Sequence, residues 1–299
     1  ITELTLWKNI QDTARASRRT GCGFTALGDM LAALSLKYDS DESLRTIEIL
    51  MKTKMRAELD CTIDLAILRG TFEGWDKELE FTEDSGLHGN NDFYQMLVNE
   101  FPEQTYRMNK YGRRNVSWST VAPTGSVSIL TRTTSGLEPL FLPYYMRRKK
   151  VNPSDKNSRI DFKDNNGDCW QEYPILHPKF KEWIEFKSKA SIFENEISNE
   201  DLKAWFEESP WYKSCANDIA WEKRIEIQSI IQKYTTNAIS STINLPKDVS
   251  IETVKSIYMY AWELGLKGIT IYRDGCRDGV LISDTQNKNN EFAYKDAIK

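Results

Sequence analysis

Apolar residues recur at helical spacing through most of this sequence, and only short stretches show the two-residue alternation of a β-strand. Polar turns and glycines separate the periodic stretches, so the pattern predicts helices joined by loops. Helices are expected over residues 3–19, 24–34, 42–68, 92–101, 126–130, 178–187, 199–208, 217–235 and 248–264. Strands are expected over residues 115–121, 238–246 and 268–272. Long helices with few, well-separated strands favour an α/β fold that is rich in helix.

Two segments differ from this pattern. Residues 147–169 are polar and contain an Asn-Pro and an Asn-Gly turn pair, which predicts an exposed excursion in the form of a hairpin. The sequence beyond Ser283 is polar and is expected to be a frayed tail. At the other end, a helical pattern begins directly after Ile1 without a capping residue, which is typical of a piece of a longer protein.

The composition is that of an ordinary globular protein. Of the 299 residues, 40% are hydrophobic and 28% are charged, and the formal net charge is -4. The sequence lacks the excess of basic residues that is typical of nucleic-acid-binding proteins. No apolar stretch approaches the ~20 residues that span a bilayer. No secretory leader opens the sequence. We therefore expect a cytoplasmic protein that has neither a nucleic acid nor a membrane as a partner.

Cysteine and histidine spacing predicts no metal site. The five cysteines are scattered without a Cys-x-x-Cys pair, which excludes a zinc cluster or a dithiol motif and fits a reducing compartment. His88 and His177 have no partner at ligand spacing, so both are interpreted as surface residues.

The strand predicted over residues 115–121 leads into a loop suited to an anion. Pro123 cannot donate a hydrogen bond to a sheet, so the strand is expected to end there. If a helix begins at Ser126, its first-turn amides lack helical acceptors and its dipole favours an anion. The candidate phosphate-binding residues are Thr124, Gly125, Ser126 and Val127. A simple strand-to-helix turn is the alternative, and the loop is no P-loop because no Gly-Lys-Ser/Thr follows.

A second glycine turn follows closely and carries an acidic residue. Glu138 lies between apolar residues, directly before a proline. Its carboxylate is either solvated on the turn or held by a donor such as Arg147 or Arg148. The spacing favours a structural role for this carboxylate.

Four separated motifs, taken in their order and spacing, resemble a known family. They lie in the stretches RRTGCGFTALGDMLAALSLKYDS (18–40), VAPTGSVSILTRTTSGLEPLF (121–141) and AISSTINLPKDVSIETVKSIYMYAWELGLKGITIYRDG (238–275). The resemblance is to the large catalytic chain of ribonucleotide reductases, most closely to the adenosylcobalamin-dependent class, and it covers residues 1–282.

The resemblance implies a ten-stranded α/β barrel made of two five-stranded halves, of which this chain would form the later portion. Residues 1–282 are thus expected to be a partial catalytic barrel domain that includes the polar excursion, with residues 283–299 as its tail. In that family the Pro-Thr-Gly-Ser loop binds the substrate phosphates through amides and hydroxyls, which gives this role to Thr124, Gly125, Ser126 and Val127. The implied reaction converts ribonucleotides to deoxyribonucleotides by a radical mechanism, with adenosylcobalamin as cofactor and a thioredoxin-type dithiol as reductant.

One part of the family pattern is missing. The family forms a thiyl radical on a finger-loop cysteine, with a nearby glutamate in acid–base chemistry, and no matching motif occurs here. Both residues are expected upstream of Ile1, in the same or a separate polypeptide. No catalytic residue is therefore assigned in this chain, and alone it is expected to be inactive.

Two alternatives stay open at this point. One is a nucleotide-binding regulatory or assembly module without catalysis of its own, and the other is a fragment of the iron-dependent class of the same superfamily. The Thr-Gly-Cys-Gly-Phe and Pro-Thr-Gly-Ser motifs favour the cobalamin class. Arg273 also favours it, because it follows Tyr272 where the iron-dependent class has a second tyrosine for radical transfer.

Overall fold

The computed structural model describes residues 3–81, 92–151, 160–163, 168–193 and 197–273. The helices in these ranges are α1 (Glu3–Ser17), α2 (Leu27–Ala33), α3 (Asp41–Arg69), α4 (Lys77–Phe81), α5 (Asp92–Glu100), α6 (Pro102–Tyr111), α7 (Gly125–Thr131), α8 (Pro178–Ser188), α9 (Asn199–Glu208), α10 (Trp221–Lys233) and α11 (Ile251–Glu263). The strands are β1 (Tyr144–Val151), β2 (Phe162–Lys163), β3 (Cys169–Leu176), β4 (Thr242–Leu245) and β5 (Thr270–Arg273). His88, Cys276 and the predicted tail lie outside the described residues.

Helix ends follow the local sequence. The side chains of Ser40 and Ser250 cap α3 and α11 by accepting a hydrogen bond from the amide three residues later. Gly265, with a φ of 72°, follows the end of α11. The helix predicted from residue 24 begins only at Leu27, because Ala26 adopts a left-handed conformation with a φ of 70°.

Four extended segments lie side by side in parallel and form what we call the parallel wall, which consists of residues 20–23, 117–121, 237–245 and β5. Cys22 bridges Ser119, and Val121 bridges Ile239, both in parallel orientation. β4 continues the third segment and pairs in parallel with β5. Because the segments run in the same direction, their carboxyl ends meet at one edge of the wall.

The strand predicted over residues 115–121 is extended but does not form a continuous ladder. The hydroxyl oxygen of Thr236 accepts hydrogen bonds from the amides of Trp118 and Ser119, at 3.0 and 2.9 Å. Arg113 donates to the carbonyl oxygens of Asn115 and Val116, both at 2.7 Å. Side chains thus replace part of the backbone pairing, and only isolated bridges remain.

The predicted polar excursion is a hairpin, and it is longer than expected. β1 pairs with β3 in antiparallel orientation from Tyr144 opposite Leu176 to Val151 opposite Cys169. Residues 152–159 and 164–167 are not among the described residues. A separate apolar cluster holds the base of the hairpin against α8, and its buried members include Leu140, Leu176, Phe180, Ile184, Leu202 and Trp211.

The main core lies along α3. Ile47, Met51, Met55, Leu59 and Ile63 are at most 1% exposed and fall on one face of this helix. They belong to a cluster that also contains buried residues of α6 and α10. Complete burial stabilises the fold by about 1.5–3 kcal/mol for each such side chain. None of the described helices combines the length and apolar content that crossing a membrane requires.

Candidate functional site

A cleft of about 520 Å³ opens beside the parallel wall. Its lining residues come from the predicted phosphate loop, the second glycine turn, the hairpin and β4: Ala122, Pro123, Gly125, Thr133, Thr134, Ser135, Glu138, Pro139, Leu140, Phe141, His177, Ala216, Ser240, Thr242 and Asn244. Side chains at alternate positions of a strand share one face, so Ser240, Thr242 and Asn244 turn the same face of the third segment to the cleft.

The predicted phosphate loop has the expected strand–loop–helix form. Val121 makes the last bridge, Pro123 follows, and α7 begins at Gly125. The amide of Ser128 donates to the carbonyl oxygen of Thr124 at 2.8 Å and closes the first helical turn. The three amides before it, at residues 125–127, have no acceptor within the helix. They belong to exposed residues, so an anion in the cleft could reach them.

Gly125 is open to substitution as far as the protein itself is concerned. A Cβ built on Gly125 meets no protein atom within 4 Å. The loop does not need glycine for its own packing or for a left-handed backbone. Any requirement for glycine at this position would therefore come from a bound ligand.

The hydroxyl of Thr124 is engaged inside the loop. It accepts a hydrogen bond from the amide of Gly136 at 2.7 Å and lies 3.1 Å from the hydroxyl oxygen of Thr25. Thr25 donates its own proton to the carbonyl oxygen of Thr134 at 2.9 Å, so Thr124 must be the donor between the two hydroxyls. The hydroxyl of Thr124 consequently holds the loop, which leaves amides and the Ser126 hydroxyl for a ligand.

These hydrogen bonds stabilise an unfavourable backbone conformation at Thr124. This residue precedes α7 with a φ of 53°, a left-handed conformation that is costly for a β-branched side chain. The second turn passes close to it, since a Cβ on Gly136 would lie 2.9 Å from the carbonyl oxygen of Ala122. Gly28 of α2 approaches the same turn, where its Cβ would lie 2.9 Å from the carbonyl oxygen of Glu138.

The partner of Glu138 is Arg224 of α10, and the predicted partners Arg147 and Arg148 were wrong. Arg224 is only 4% exposed and donates to the Glu138 carboxylate and to the carbonyl oxygen of Thr242. The amide of Thr242 donates to the other carboxylate oxygen at 3.0 Å. Spacing along the chain could not reveal this pair because 86 positions separate its members.

Arg224 also faces a buried tyrosine. Its guanidinium lies 5.7 Å from the centre of the Tyr38 ring. Burial raises the pKa of the Tyr38 phenol, which donates to the carbonyl oxygen of Leu137. The backbone before Glu138 and the Glu138 carboxylate are thus both held by hydrogen bonds, in agreement with the structural role predicted for this carboxylate.

Asp29 and His177 form a second buried pair behind the cleft. The imidazole Nε2 lies 3.8 Å from Asp29 Oδ2, which accepts a hydrogen bond from the amide of Thr134 at 2.8 Å. Burial raises the pKa of Asp29 to about 6 and lowers the pKa of His177 to about 4. His177 is therefore neutral at neutral pH, so the contact is not an ion pair there. The side chain of His177 is 14% exposed, and its interpretation as a surface residue was wrong.

The sequence missed Thr25, Asp29 and Arg224, although each holds a cleft element. Thr25 and Asp29 lie within the first family-like stretch, and no local pattern distinguishes them from helix-start residues. Among the described cysteines, Cys22 and Cys61 are exposed and Cys169 and Cys215 are buried. The part of the chain that the structure describes contains no cluster of acidic, histidine or cysteine residues that could hold a metal ion.

A larger cavity of about 830 Å³ lies at the amino-terminal edge of the parallel wall. It is lined by residues that precede the segments, such as Val116, Thr236 and Lys267. The loop before α7 opens into the smaller cleft, which lies at the edge where the segments of the parallel wall end. In open α/β sheets ligands bind at the carboxyl ends of the strands, so we take the smaller cleft as the candidate site.

Comparison with known proteins identifies the family. The family described as "Ribonucleotide reductase, barrel domain" matches residues 3–272. A vitamin B12-dependent ribonucleoside-diphosphate reductase of Mycobacterium tuberculosis (strain CDC 1551 / Oshkosh) is 27% identical over 286 residues, which cover 93% of this chain and 34% of that protein. A protein of the same name from Thermoplasma acidophilum is 25% identical, with 89% of this chain and 30% of that protein covered.

A solved structure supports the fold. The Actinobacillus ureae class Id ribonucleotide reductase alpha subunit matches with a TM-score of 0.55 and 19% identity, and the match covers 88% of this chain and 40% of that one. The chain spans about a third of the length of the curated relatives named above. The predicted helix-rich α/β fold, as part of a reductase barrel, is confirmed. Because the family match extends over nearly all of the described residues, this chain belongs to the ribonucleotide reductase barrel-domain family.

Proposed function

We propose that this chain supplies the substrate phosphate-binding wall of a ribonucleotide reductase, which converts ribonucleotides to deoxyribonucleotides by a radical mechanism. One observation carries the proposal: the extended segment that ends at Pro123 leads into the first turn of α7, where Gly125 lines the cleft and the exposed amides of residues 125–127 have no acceptor within the helix. Family membership, established over residues 3–272, supports the same role.

Three of the four predicted residues would contact the phosphate directly, and the fourth, Thr124, would hold the loop in place. Gly125, Ser126 and Val127 offer amides, and Ser126 adds a hydroxyl. Each bond to a phosphate oxygen contributes about 1.5–3 kcal/mol before desolvation is subtracted. Thr124 acts on the loop, because its hydroxyl bonds to Thr25 and Gly136.

We propose ribonucleoside diphosphates as the substrates of the whole enzyme, because the relatives from Mycobacterium tuberculosis and Thermoplasma acidophilum are named as diphosphate reductases. The thiyl-radical cysteine and the acid–base glutamate would come from a segment outside this chain, and a thioredoxin-type dithiol would supply electrons. The partial barrel domain would span residues 1–282, with residues 283–299 as a tail. The enzyme would work in the cytoplasm, without nucleic-acid or membrane partners.

Adenosylcobalamin is the proposed cofactor of the whole enzyme, since the relatives carry the name vitamin B12-dependent. When bound, it supplies the radical that starts the reaction. The described residues do not fit it on their own. A cleft of about 520 Å³ suits the phosphates and sugar of a nucleotide, and the corrin is much larger than the ligands that fill clefts of this size.

The test combines this chain with the polypeptide that carries the finger loop, in the presence of adenosylcobalamin, a dithiol and a ribonucleoside diphosphate. The combination is expected to form deoxyribonucleotide, and this chain alone is not. Turnover by the isolated chain that depends on one of its own cysteines would refute the proposal. Nucleotide binding without turnover in the combination would instead favour a regulatory or assembly module.

A further inference from the structure

A buried carboxylate that the proposed function does not use lies behind the cleft, next to the lining residues Thr134 and His177. Asp29 is 6% exposed, and its Oδ1 atom has no hydrogen-bond partner among the residues that the structure describes. The amide of Thr134, a residue that lines the cleft, donates to the other oxygen of this carboxylate at 2.8 Å. An anion bound in the cleft would thus be placed near a buried carboxylate with incomplete compensation.

The surrounding charges do not remove this conflict. On α8, Lys179 lies near the pair but donates to both carboxylate oxygens of Glu182 at 2.8 Å. In the second turn, Glu138 is paired with Arg224 of α10, so those two charges offset each other. Next to the hairpin, the carbonyl oxygen of Pro143, which carries no formal charge, accepts a hydrogen bond from the His177 amide at 2.8 Å.

The imidazole of His177 lies close enough to Asp29 for the two side chains to share a proton after a small shift. Its Nε2 atom is 3.8 Å from Asp29 Oδ2, which is too long for a hydrogen bond but needs a shift of only about 1 Å to become one. Its Nδ1 atom is buried and, within the described residues, has no partner. One added proton would allow a hydrogen bond between the carboxyl group and the imidazole, whichever of the two carries the proton.

We propose that Asp29 and His177 together take up one proton from solvent when a phosphoryl anion enters the cleft. The inference rests on the proposed function, because it needs the anion at residues 124–127. The proton removes the repulsion between the carboxylate and the anion and closes the contact between the two side chains. The raised pKa of Asp29, about 6, makes this uptake accessible near neutral pH. The proton belongs to the pair, because two coupled groups titrate as a unit.

The test uses sulfate as the probe, because sulfate itself does not titrate between about pH 5 and 8, where histidine does. Sulfate binding to the intact reductase is measured by calorimetry in buffers of different ionisation enthalpy at pH 7. We expect an uptake that approaches one proton per sulfate, and an affinity that falls by up to about 10-fold for each pH unit above 7. Binding without proton uptake by the unmodified protein would overturn the proposal.

Variants test the proton uptake separately from the phosphate-loop assignment. Asp29→Asn keeps an oxygen for the Thr134 amide but cannot titrate, so it should abolish both the uptake and the pH slope. Asp218→Asn is the matched control, since burial also raises the pKa of Asp218 and its partner Cys215 lies outside the cleft lining. A full pH slope in folded Asp29→Asn would overturn the inference.

Gly125→Val reports on the loop alone. If Gly125→Val weakens sulfate binding but the binding takes up no proton, the inference is overturned and the phosphate-loop assignment stands. If sulfate binding takes up a proton but Gly125→Val leaves that binding unchanged, the loop assignment is overturned, and with it the inference that depends on it. No sulfate binding at any pH overturns both.

Discussion

The hydroxyl groups of Thr25 and Thr124 lie 3.1 Å apart, although 99 positions separate these residues in the chain. Thr25 also donates to the carbonyl oxygen of Thr134 and accepts a hydrogen bond from the Gly136 amide. One hydroxyl group therefore connects the loop before α7 with the second glycine turn. Thr25 is accordingly a positioning residue for the proposed phosphate site.

Thr25→Val, which keeps the shape of the side chain and removes the hydroxyl, should lower the free energy of unfolding by about 1–3 kcal/mol. It should also weaken nucleotide binding, because Thr124 loses its acceptor and the loop relaxes. Thr25→Ser retains the hydroxyl and should restore both properties. Denaturant unfolding and nucleotide titration are measured on the two variants. Equal nucleotide affinity in the folded Val and Ser variants would contradict the positioning role.

Gly125→Val should leave the fold intact, because a Cβ there meets no protein atom within 4 Å. It should weaken nucleotide binding in the intact reductase by about 10-fold or more, or at least ~1.4 kcal/mol, since a side chain would stand where the phosphate approaches the amides. Ser126→Ala should have a smaller effect, because its amide remains.

Gly268→Val is the matched control for this prediction. A Cβ on Gly268 also has open space, and this glycine does not line the cleft. Each substrate is titrated against both variants, with the melting temperature measured in parallel. Unchanged nucleotide affinity in the folded Gly125→Val protein would show that the loop is a simple turn and not a phosphate site.

Glu138→Gln should lower the free energy of unfolding by about 3 kcal/mol, because it leaves the buried Arg224 without its counter-charge. The value lies at the lower end for buried pairs, since the Glu138 side chain is 31% exposed. Glu182→Gln, which removes an exposed ion pair with Lys179, should change the stability by at most about 1 kcal/mol. Equal urea midpoints for the two variants would argue against a stabilising Glu138–Arg224 pair.

Asp29→Asn should stabilise the free protein above pH 6. The folded protein binds the Asp29 proton more tightly than the unfolded chain does, since burial raises the pKa from 3.8 to about 6. The carboxylate therefore destabilises the fold by about 2–3 kcal/mol above pH 6, and this penalty disappears as the pH falls towards 4. Melting temperatures of both proteins between pH 4 and 8 test the effect. A gain that is the same at pH 4 and pH 8 would show that titration is not its cause.

Local patterns were sufficient for much of the fold. The caps at Ser40 and Ser250, the stop at Gly265 and the turn into α7 all depend on residues close together in sequence, and the helices that they delimit were predicted. α10 is shorter than predicted because residues 216–218 form a turn before Trp221. Periodicity reports which residues face the core, but it does not report where a turn delays a helix.

The composition of the cleft depended on contacts that no local pattern contains. Arg224 reaches Glu138 across 86 positions, and Asp29 reaches Thr134 across 105. His177 was misjudged because its exposure depends on α2, which lies far away in sequence. Family resemblance indicated the phosphate loop but not the residues that hold it.

The first three segments of the parallel wall are each about a hundred positions apart in the chain. The Thr20 amide, for example, donates to the carbonyl oxygen of Ser117, and 97 positions separate the two residues. Contacts of such high sequence separation form slowly, because the chain must close long loops first. We expect α3 and its local turns to form early and the cleft to mature last. The amides of Thr134 and Gly136 should accordingly gain protection from hydrogen exchange later than those of α3, so the nucleotide site is a late product of folding.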